Sequence, residues 1–394
     1  EVMNAVYDDL KYALENVRLT DGDQQVNRYI VAGFISRIAL HEGTWQKYYY
    51  KNNEQAEKFL KFAVDAAELV ISSGKYDIVT DYRSLFTSKD LKGNKDMVLY
   101  RAYDAAVGIT HSVASNSNFD ASTNDGPTTD LIKSYITVDG NVYQNSGVAN
   151  AAEFDLANLI KTRDSRFEAT FYHAPDAMNR GALVYITKFL PRDIEARIKS
   201  GGGVPADFAG DKNETDAPVL RYAEVLLNWI EAKVEWELLG GPQVTQPDIE
   251  RSINKIRKRP LAPEAVTKGV VKTALLDLAA LPNHASRDFS VSPLLWEIRR
   301  ERRMEFVFEY SRLADLKRWS KLNYMDTDEN KDVLSGGWVN SAQIPEPVKV
   351  TGKLAVTDLN GNMTVYNGAN LSNMNGFYRN TTNTGRLPFL SQPN

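Results

Sequence analysis

Apolar residues recur at helical spacing through the first quarter of the chain. Between residues 25 and 41 the apolar face consists of Val26, Ile30, Gly33, Phe34 and Ile38. A second stripe runs from 54 to 73 and ends at Gly74, where a C-terminal helix cap belongs. An amphipathic stripe is present from Met3 onward with no capping residue before it, so we expect the chain to begin inside a longer mature protein. Residues 1–103 are therefore predicted to form N-terminal helical repeats.

The segment 219–239 carries two apolar stripes and one polar stripe. The polar stripe consists of Arg221, Glu224, Asn228, Glu231 and Glu235. A helix that is apolar on two faces packs between other helices, and the Gly-Gly-Pro sequence at 240–242 ends this one. A shorter helix follows, with apolar positions at Ile249, Ile253 and Ile256. Helix pairs that bury neighbouring pairs predict a stack of divergent tetratricopeptide-like repeats.

Long polar segments interrupt these helices. Residues 105–150 are small, polar and rich in turn formers, and loops of this length are usually functional or disordered. Two hairpins are predicted, at 136–144 around Asp139-Gly140 and at 353–366 around Asn360-Gly361. The predicted fold class is mainly α: an α-α superhelix of divergent tetratricopeptide-like helix pairs with long loops and a few short β-hairpins. We expect one unit over 1–394, made of N-terminal helical repeats (1–103), a loop-rich insertion (104–218), a second set of helical repeats (219–323) and an irregular C-terminal region with a hairpin (324–394).

The stretch RRERRMEFVFEYSRLADLKRW, residues 299–319, concentrates arginine. The whole chain carries 47 basic and 51 acidic side chains, for a net charge of −4, whereas a nucleic-acid binder usually has a basic excess. The arginines at 299, 300, 302 and 303 alternate with glutamates at 297, 301, 305 and 309, which can pair with them along a helix. The apolar stripe of this stretch is Leu295, Ile298, Phe306, Tyr310 and Leu313. We therefore predict a packed structural helix with internally paired charges, and no nucleic-acid partner.

The catalytic inventory of the chain is small. Cysteine is absent, which excludes disulfides, thiolate nucleophiles and cysteine metal sites within this sequence. The four histidines do not form an HExxH motif, and there is no GxSxG serine motif. The longest apolar run, at 29–35, is far too short to span a bilayer. The 51 acidic residues allow a glycosidase pair of carboxylates, but no spacing singles one out, so a glycoside hydrolase stays an alternative.

The acidic segment DTDENKD, residues 326–332, has the alternation of the first half of a calcium loop. Its candidate ligands are Asp326, Asp328, Asn330 and Asp332. Lys331 stands where the loop needs glycine, and Gly337 stands where it needs an acid. We therefore predict a solvated acidic loop, with calcium at 326–332 as the weaker alternative and no other cofactor.

Aromatic residues stand in several polar, loop-like contexts: Phe119, Tyr143, Trp338, Phe377 and Tyr378. An exposed ring edged by hydrogen-bonding groups suits a sugar, which presents C–H faces and hydroxyl edges. The predicted ligand contacts are Phe119, Tyr143 and Trp338, with His111 and Asn118 as partners for hydroxyl groups. For any single ring, local packing is the competing interpretation. We expect the 105–150 loop and the C-terminal region to converge on one face, because packed helices leave no room for an extended ligand.

Three helical motifs in sequence order carry a resemblance to a known family. RYAEVLLNWIEAKVE at 221–235, SINKIRKRP after it, and IRRERRMEFVFEYSRLADLKRW resemble the SusD/RagB family of surface glycan-binding lipoproteins. The matching positions are Arg221, Tyr222, Ala223, Glu224, Glu231, Ala232, Asn254, Arg257, Arg259, Glu301, Arg302, Glu305, Glu309, Arg312, Asp315, Leu316, Arg318 and Trp319. GPTTDLIKSYITVDG at 126–140 and RDSRFEATFY at 163–172 are similar to further family motifs.

The resemblance implies four tetratricopeptide-like units whose long loops form the ligand face. It implies a protein without catalytic activity that captures oligosaccharides, occasionally peptides, and hands them to a SusC-like TonB-dependent transporter. It also implies a lipid anchor on the outer face of the outer membrane. The lipidated cysteine and the early helices of the family are absent from this sequence, which agrees with the expected missing N-terminal part, and the tail GRLPFLSQPN is only faintly similar to the family ending. The alternatives are a glycoside hydrolase and a peptide-binding uptake protein of the same family.

Overall fold

The computed structural model describes residues 1–22, 24–117, 126–171, 183–184, 186–285, 287–344 and 346–382. In chain order the α-helices are α1 (Val2–Asn16), α2 (Arg28–Trp45), α3 (Asn53–Ser72), α4 (Thr129–Ser134), α5 (Leu156–Thr162), α6 (Arg166–Thr170), α7 (Arg192–Lys199), α8 (Tyr222–Glu237), α9 (Gln246–Arg251), α10 (Ile253–Arg257), α11 (Pro263–Thr267), α12 (Pro293–Glu305) and α13 (Arg312–Arg318). The strands are β1 (Met97–Arg101), β2 (Ala217–Arg221), β3 (Trp338–Val339), β4 (Leu354–Thr357), β5 (Met363–Val365) and β6 (Gly376–Asn380). The predicted mainly α fold class is confirmed.

The chain divides into two compact units, which are described separately. Unit 1 consists of Glu1–Tyr103, Thr215–Pro260 and Ala274–Lys321. Unit 2 consists of Asp104–Glu214, Leu261–Thr273 and Leu322–Asn394. The organisation of the whole chain as one functional unit stays a prediction.

The core of unit 1 is a stack of helices in which α2 packs on α3, α3 on α8 and α8 on α12. Ile35, Leu60 and Leu226 are fully buried in it. Close approach of α2 and α3 depends on Gly43, because a Cβ there would lie 2.8 Å from the Leu60 Cγ. Helix α2 begins after Asn27, whose side chain accepts hydrogen bonds from the backbone N–H groups of the first turn. The periodicity of apolar residues in the sequence predicts these helices because each has a buried apolar face.

Two helix starts differ from the prediction. Val26 was expected on the buried face of α2, but it precedes the Asn27 cap and is 61% exposed. Residues 219–221 were expected to open a helix, but they belong to β2 (Ala217–Arg221), which pairs antiparallel with β1. Helix α8 therefore begins at Tyr222, because the backbone before it pairs with β1.

The arginine-rich stretch is two helices rather than one. Helix α12 ends at Glu305, and Phe308 and Tyr310 adopt left-handed backbone conformations, with φ of 60° and 61°, before α13 begins. The predicted apolar stripe is wrong beyond Phe306, because Tyr310 is 98% exposed and Leu313 is 49% exposed. The break places the Glu309 carboxylate 2.8 Å from Arg221, so a tertiary ion pair accompanies the interruption of the helix.

The charges in this stretch are paired, but the predicted pairing along one helix is wrong for most of them, because their partners lie on other elements. Arg302 contacts Glu231 at 3.1 Å and Asp315 at 3.2 Å. Arg300 pairs within its own helix, with Glu297 at 3.0 Å. All five side chains are buried, so the polar stripe of α8 faces guanidinium groups rather than solvent.

Among the described residues of unit 2, a four-stranded antiparallel sheet has the strand order β3-β6-β4-β5. One face of this sheet carries the apolar cluster of Leu183, Val339, Ile344, Leu354, Val356 and Met374, against which Tyr378 packs. The predicted hairpin at 353–366 is confirmed as β4 and β5, with Gly361 at a φ of 84° in the turn. Asp358 accepts the backbone N–H groups of Asn360 and Asn362, which closes that turn.

The predicted hairpin at 136–144 is wrong. The segment forms a tight turn without paired strands, in which the Thr137 N–H donates to the Asn141 carbonyl at 2.9 Å. Thr137 pairs across with Arg163 instead, as an isolated antiparallel bridge. Hydrogen bonds to the Asp139 carboxylate hold this segment. The Asp-Gly pair therefore forms part of a loop around that carboxylate and not a hairpin turn.

No helix in the described parts of the chain combines the length and the apolar character needed to cross a lipid bilayer.

Candidate ligand-binding surface

Four aromatic side chains of unit 2 form a continuous row, called the aromatic row below: Tyr143, Phe154, Phe377 and Trp338. The rings of Tyr143 and Phe154 meet edge to face, with centroids 4.9 Å apart. Phe154 contacts Phe377 at 5.2 Å, and Phe377 contacts Trp338 at 5.1 Å, again close to edge to face. Such geometry adds roughly 0.5–1.5 kcal/mol per pair to the burial of the rings.

The inner members of the row are buried and the outer members are half-buried. Phe154 and Phe377 are 2% and 1% exposed, whereas Tyr143 and Trp338 keep part of their surface accessible. Trp338 stands directly opposite Phe377 in the antiparallel register of β3 and β6, so its ring is held by cross-strand packing. The row therefore joins two accessible rings through a rigid apolar centre.

The loop that carries Tyr143 is organised by the Asp139 carboxylate. It accepts hydrogen bonds from the Thr137 hydroxyl at 2.5 Å, the Asn141 N–H at 3.1 Å, and the Ser146 hydroxyl and Gly147 N–H, both at 2.9 Å. Partial burial opposes ionisation, but these bonds outweigh it and hold the pKa of Asp139 below its usual range. The carboxylate is thus a fixed negative charge that orders the loop.

The buried guanidinium of Arg163 lies behind the Tyr143 end of the row. It lies 5.8 Å from the Tyr143 ring centre and 5.0 Å from that of Phe154. It donates to the Ala151 carbonyl at 2.7 Å and to the Thr162 hydroxyl at 2.9 Å. Burial lowers the pKa of Arg163 to about 10, which still leaves the group charged at neutral pH. Cation–π contact therefore helps to fix the orientation of Tyr143.

Helix α4 connects the first loop region to the C-terminal region. Lys133 pairs with Asp332 at 2.8 Å and lies 5.2 Å from the centre of the Phe377 ring. The Thr129 N–H donates to the Ser335 carbonyl at 2.8 Å. The described part of the 105–150 segment and the C-terminal region, which were expected to converge, therefore contact each other within unit 2.

The remaining predicted site residues lie elsewhere. Phe119 and Asn118 are outside the described residues. His111 belongs to another segment of unit 2, where its backbone N–H and carbonyl pair with Asn213 at 2.9 and 3.0 Å. The Nδ1 of His111 accepts the Val113 N–H at 3.2 Å, so this nitrogen has a local partner. The structure thus brings together Tyr143 and Trp338 but does not place His111 in the aromatic row.

The sequence suggested a loop at Phe377 and Tyr378, but both residues lie in β6. Because neighbouring strand residues point to opposite faces, Phe377 joins the aromatic row while Tyr378 packs on the apolar cluster. Sequence reasoning also missed Phe154, Lys133 and Arg163. Arg163 opens a motif that carries the family resemblance, but nothing in the motif shows that its side chain backs an aromatic ring.

In the 326–332 segment, both oxygens of one proposed calcium ligand, Asp332, already have a protein partner. The Asp332 carboxylate accepts both of its hydrogen bonds from Lys133, and the Asn330 amide donates to Asp130 at 3.0 Å. In the part of the chain that the structure describes, no group of three or more His, Asp or Glu side chains is placed to hold a metal ion.

The helical motif positions form ion pairs inside unit 1. Arg221 contacts Glu305 at 2.5 Å. Arg257 contacts Glu301 at 2.9 Å, and both of their side chains are buried. The motifs therefore report the packing of the helical stack, whereas the aromatic row lies on segments of unit 2.

Solved structures share this mainly α fold. One is a SusD-like carbohydrate-binding protein from Bacteroides fragilis, with a TM-score of 0.60 and 19% identity over 91% of this chain and 64% of that one. Another was solved with a xylogluco-oligosaccharide and has a TM-score of 0.53 and 18% identity, covering 84% of this chain and 60% of that one.

The chain belongs to the SusD family, whose sequence model matches residues 96–386. A SusD-like protein from Bacteroides ovatus is 21% identical over 342 residues, which cover 83% of this chain and 53% of that protein. The chain thus spans about half the length of the curated relative that it matches.

Proposed function

We propose that the protein binds oligosaccharides without cleaving them, and that the aromatic row is its contact surface. The observation that carries this proposal is the row itself, in which two accessible rings, Tyr143 and Trp338, are braced by buried Phe154 and Phe377. Membership of the SusD family supports it, since a relative of the same fold is described as carbohydrate-binding. A second solved relative contains a xylogluco-oligosaccharide.

The chemistry of the row agrees with a sugar ligand. A pyranose ring offers a face of C–H groups, which packs on an aromatic ring, and hydroxyl groups at its edge that need donors and acceptors. Rings that are braced by cross-strand and edge-to-face contacts lose little conformational freedom when a ligand binds. A rigid platform of this kind therefore favours a stiff, extended ligand.

Calorimetric titration with a carbohydrate panel tests the binding proposal. The panel consists of starch, xyloglucan, arabinoxylan, mixed-linkage glucan, polygalacturonate and sulfated galactan oligosaccharides, with a casein digest as the peptide arm. We expect saturable binding to at least one glycan. Binding to the peptide arm alone would favour the peptide-uptake alternative, and folded protein that binds no glycan would overturn the proposal.

Four carboxyl groups of unit 2 lack the raised pKa that a glycosidase acid needs. A glycosidase needs one carboxyl group whose pKa is raised so that it stays protonated near neutral pH. In unit 2, hydrogen bonds and cations hold the pKa values of Asp139, Asp164, Glu168 and Asp358 below their usual range, in spite of the opposing effect of burial. If the protein binds without hydrolysis, incubation with each polysaccharide should release no reducing ends. Turnover abolished by one Asp or Glu substitution would establish the hydrolase alternative.

We further propose that the protein works on the outer face of the outer membrane, lipid-anchored, and passes its ligand to a SusC-like TonB-dependent transporter. Family membership supports this assignment. Co-expression of the full-length protein with such a transporter should yield a complex that survives affinity purification. Radiolabelled palmitate should be incorporated into the full-length protein, and protease added to whole cells should degrade it. A protein that is unlabelled and protected in intact cells would overturn the placement.

A further inference from the structure

Arg379 lies on the same face of the unit 2 sheet as the aromatic row. It follows Phe377 by two positions on β6, and side chains two apart on a strand share a face. The Tyr378 N–H donates to the Gly337 carbonyl at 2.9 Å and the Gly336 N–H donates to the Tyr378 carbonyl at 2.7 Å, so β6 continues beside the residues that precede β3.

The guanidinium of Arg379 lacks the carboxylate partner that Arg166 and Arg192 of unit 2 have. Its side chain is half-buried, its Nε is buried without a hydrogen-bond partner, and it forms no ion pair with a carboxylate of the described residues. By contrast, Arg166 pairs with Asp164 at 2.7 Å and Arg192 with Glu168 at 2.6 Å. A buried polar group left unsatisfied costs about 1–3 kcal/mol, so native proteins usually keep one for a reason.

The unbalanced positive charge near the aromatic row lies at its Arg379 end, because the other nearby cations have a negative charge close to them. Lys133 is neutralised by Asp332 at 2.8 Å. At the opposite end, buried Arg163 also has no carboxylate partner among the described residues, but the loop of Tyr143 contains ionised Asp139. Fixed charges act strongly across a partly desolvated surface, because screening by water is reduced there.

We infer that the aromatic row binds an anionic glycan, with a sugar ring on Trp338 and its carboxylate or sulfate group on Arg379. Diagonal neighbours on adjacent strands are separated by roughly 7–8 Å, a span that one sugar residue can bridge. The planar guanidinium binds both oxygens of a carboxylate or sulfate through two parallel N–H donors. This inference rests on the proposed function, since it assigns a ligand class to the same surface.

Matched pairs of ligands test the inference by calorimetry. One arm compares oligogalacturonides with their carboxyl-reduced forms, and a second compares sulfated galactan oligosaccharides with their desulfated forms. We expect the wild type to prefer the anionic member of at least one pair by about tenfold, the scale of a charge-assisted hydrogen bond. The arm that shows the preference identifies the anionic group as carboxylate or sulfate.

Substitution of Arg379 assigns the preference to that side chain. Arg379→Met should abolish the preference and leave affinity for the neutral member unchanged, while Arg379→Lys, which keeps the charge but not the fork, should retain part of it. Lys349→Met removes a unit 2 cation paired with Glu346 and should behave as wild type. Circular dichroism checks folding, and the Lys variant carries the test if the Met variant unfolds.

The outcomes separate this inference from the proposed function. If neutral and anionic members bind equally, or the preference survives in both Arg379 variants, the inference is overturned while glycan binding stands. If the wild type binds no glycan of the panel, the proposed function fails and the inference fails with it.

Discussion

Arg318 donates two hydrogen bonds to Glu231, at 2.6 and 2.7 Å, and both side chains are buried in unit 1. The indole N–H of Trp319 donates to the same carboxylate at 2.7 Å. Burial alone would raise the pKa of Glu231, but Arg318 and Arg302 outweigh it and keep the carboxylate ionised. A buried ion pair of this kind stabilises a fold only while it is complete, because a lone buried charge is costly.

Arg302→Ala should destabilise unit 1. Arg302 binds Glu231 at 3.1 Å, Asp315 at 3.2 Å and the Asn228 side-chain oxygen at 2.8 Å, and its loss leaves all three with fewer donors. We expect a loss of about 3 kcal/mol, at the low end for breaking a buried pair, because Arg318 still serves both carboxylates. Urea denaturation followed by circular dichroism measures it.

The matched control for Arg302→Ala is Lys258→Ala, which removes an ion pair to Glu250 whose side chains are 54% and 39% exposed. Its effect should stay within about 1 kcal/mol, as is usual for exposed pairs. Equal stability of the Arg302 variant and the wild type would contradict the structural role. Salt-dependent DNA binding by the wild type would contradict the assignment of the arginine stretch to the core.

Gly43→Ala should separate α2 from α3. The added methyl group would lie 2.8 Å from the Leu60 Cγ and 3.1 Å from the Leu60 backbone nitrogen, so one helix must shift. Overpacking of this size costs about 1–3 kcal/mol, which a melting curve resolves. The control is Gly147→Ala, where nothing lies within 4 Å of the new atom. If both variants melt alike, the close approach of the helices does not limit stability.

Glu168 should make unit 2 sensitive to acid. Burial would raise its pKa, but hydrogen bonds from Arg192 and the charge of Lys268 outweigh burial and lower the pKa from 4.5 to about 2. A carboxyl group whose pKa is lowered on folding stabilises the fold above its unfolded pKa and loses that contribution as pH falls toward the folded value. The contribution is roughly 3 kcal/mol near neutral pH, and it fades between about pH 4.5 and pH 2.

Glu168→Gln tests this pH dependence. The variant should be less stable than the wild type near neutral pH, and the difference should shrink as the pH falls through that window, measured by denaturation monitored by fluorescence. Glu346→Gln is the control, because Glu346 is 85% exposed in its pair with Lys349 and should show a small difference. A Glu168 difference that stays constant with pH would show that its charge is not the cause.

Local pattern predicted the elements whose stability is local. The helices around Ile35 and Leu60 follow from apolar periodicity, and the 353–366 hairpin follows from its Asn-Gly turn. The break after Glu305 could not be read from the sequence, because it accompanies a contact between Glu309 and Arg221 from another helix region. The hairpin predicted at Asp139-Gly140 is wrong for a similar reason. The Asp139 carboxylate accepts hydrogen bonds from Ser146 and Gly147, which lie beyond the turn.

The candidate surface was only partly visible in the sequence. Tyr143 and Trp338 stood out because aromatic rings in polar segments are unusual. Phe154 and Phe377, which connect them, look like ordinary core residues, and their contact joins distant parts of unit 2. The register of β6 determines which of its aromatic residues joins the row. Because Phe377 lies on one face of the strand, Tyr378 lies on the other, and composition alone does not show this.

Alanine substitution of the accessible rings tests the surface directly. Tyr143→Ala and Trp338→Ala each remove an accessible end of the aromatic row but leave Phe154 and Phe377 in contact, so the fold should persist. Each should weaken binding of the best glycan from the panel by about 1–2 kcal/mol, the range of aromatic anchors. Phe119→Ala should do the same if the sequence-based prediction for that residue holds.

Tyr310→Ala is the control, since that ring is 98% exposed in unit 1 and should not affect affinity. Calorimetry gives the affinities and circular dichroism the folding. Wild-type affinity in all three folded variants would place the ligand away from the aromatic row.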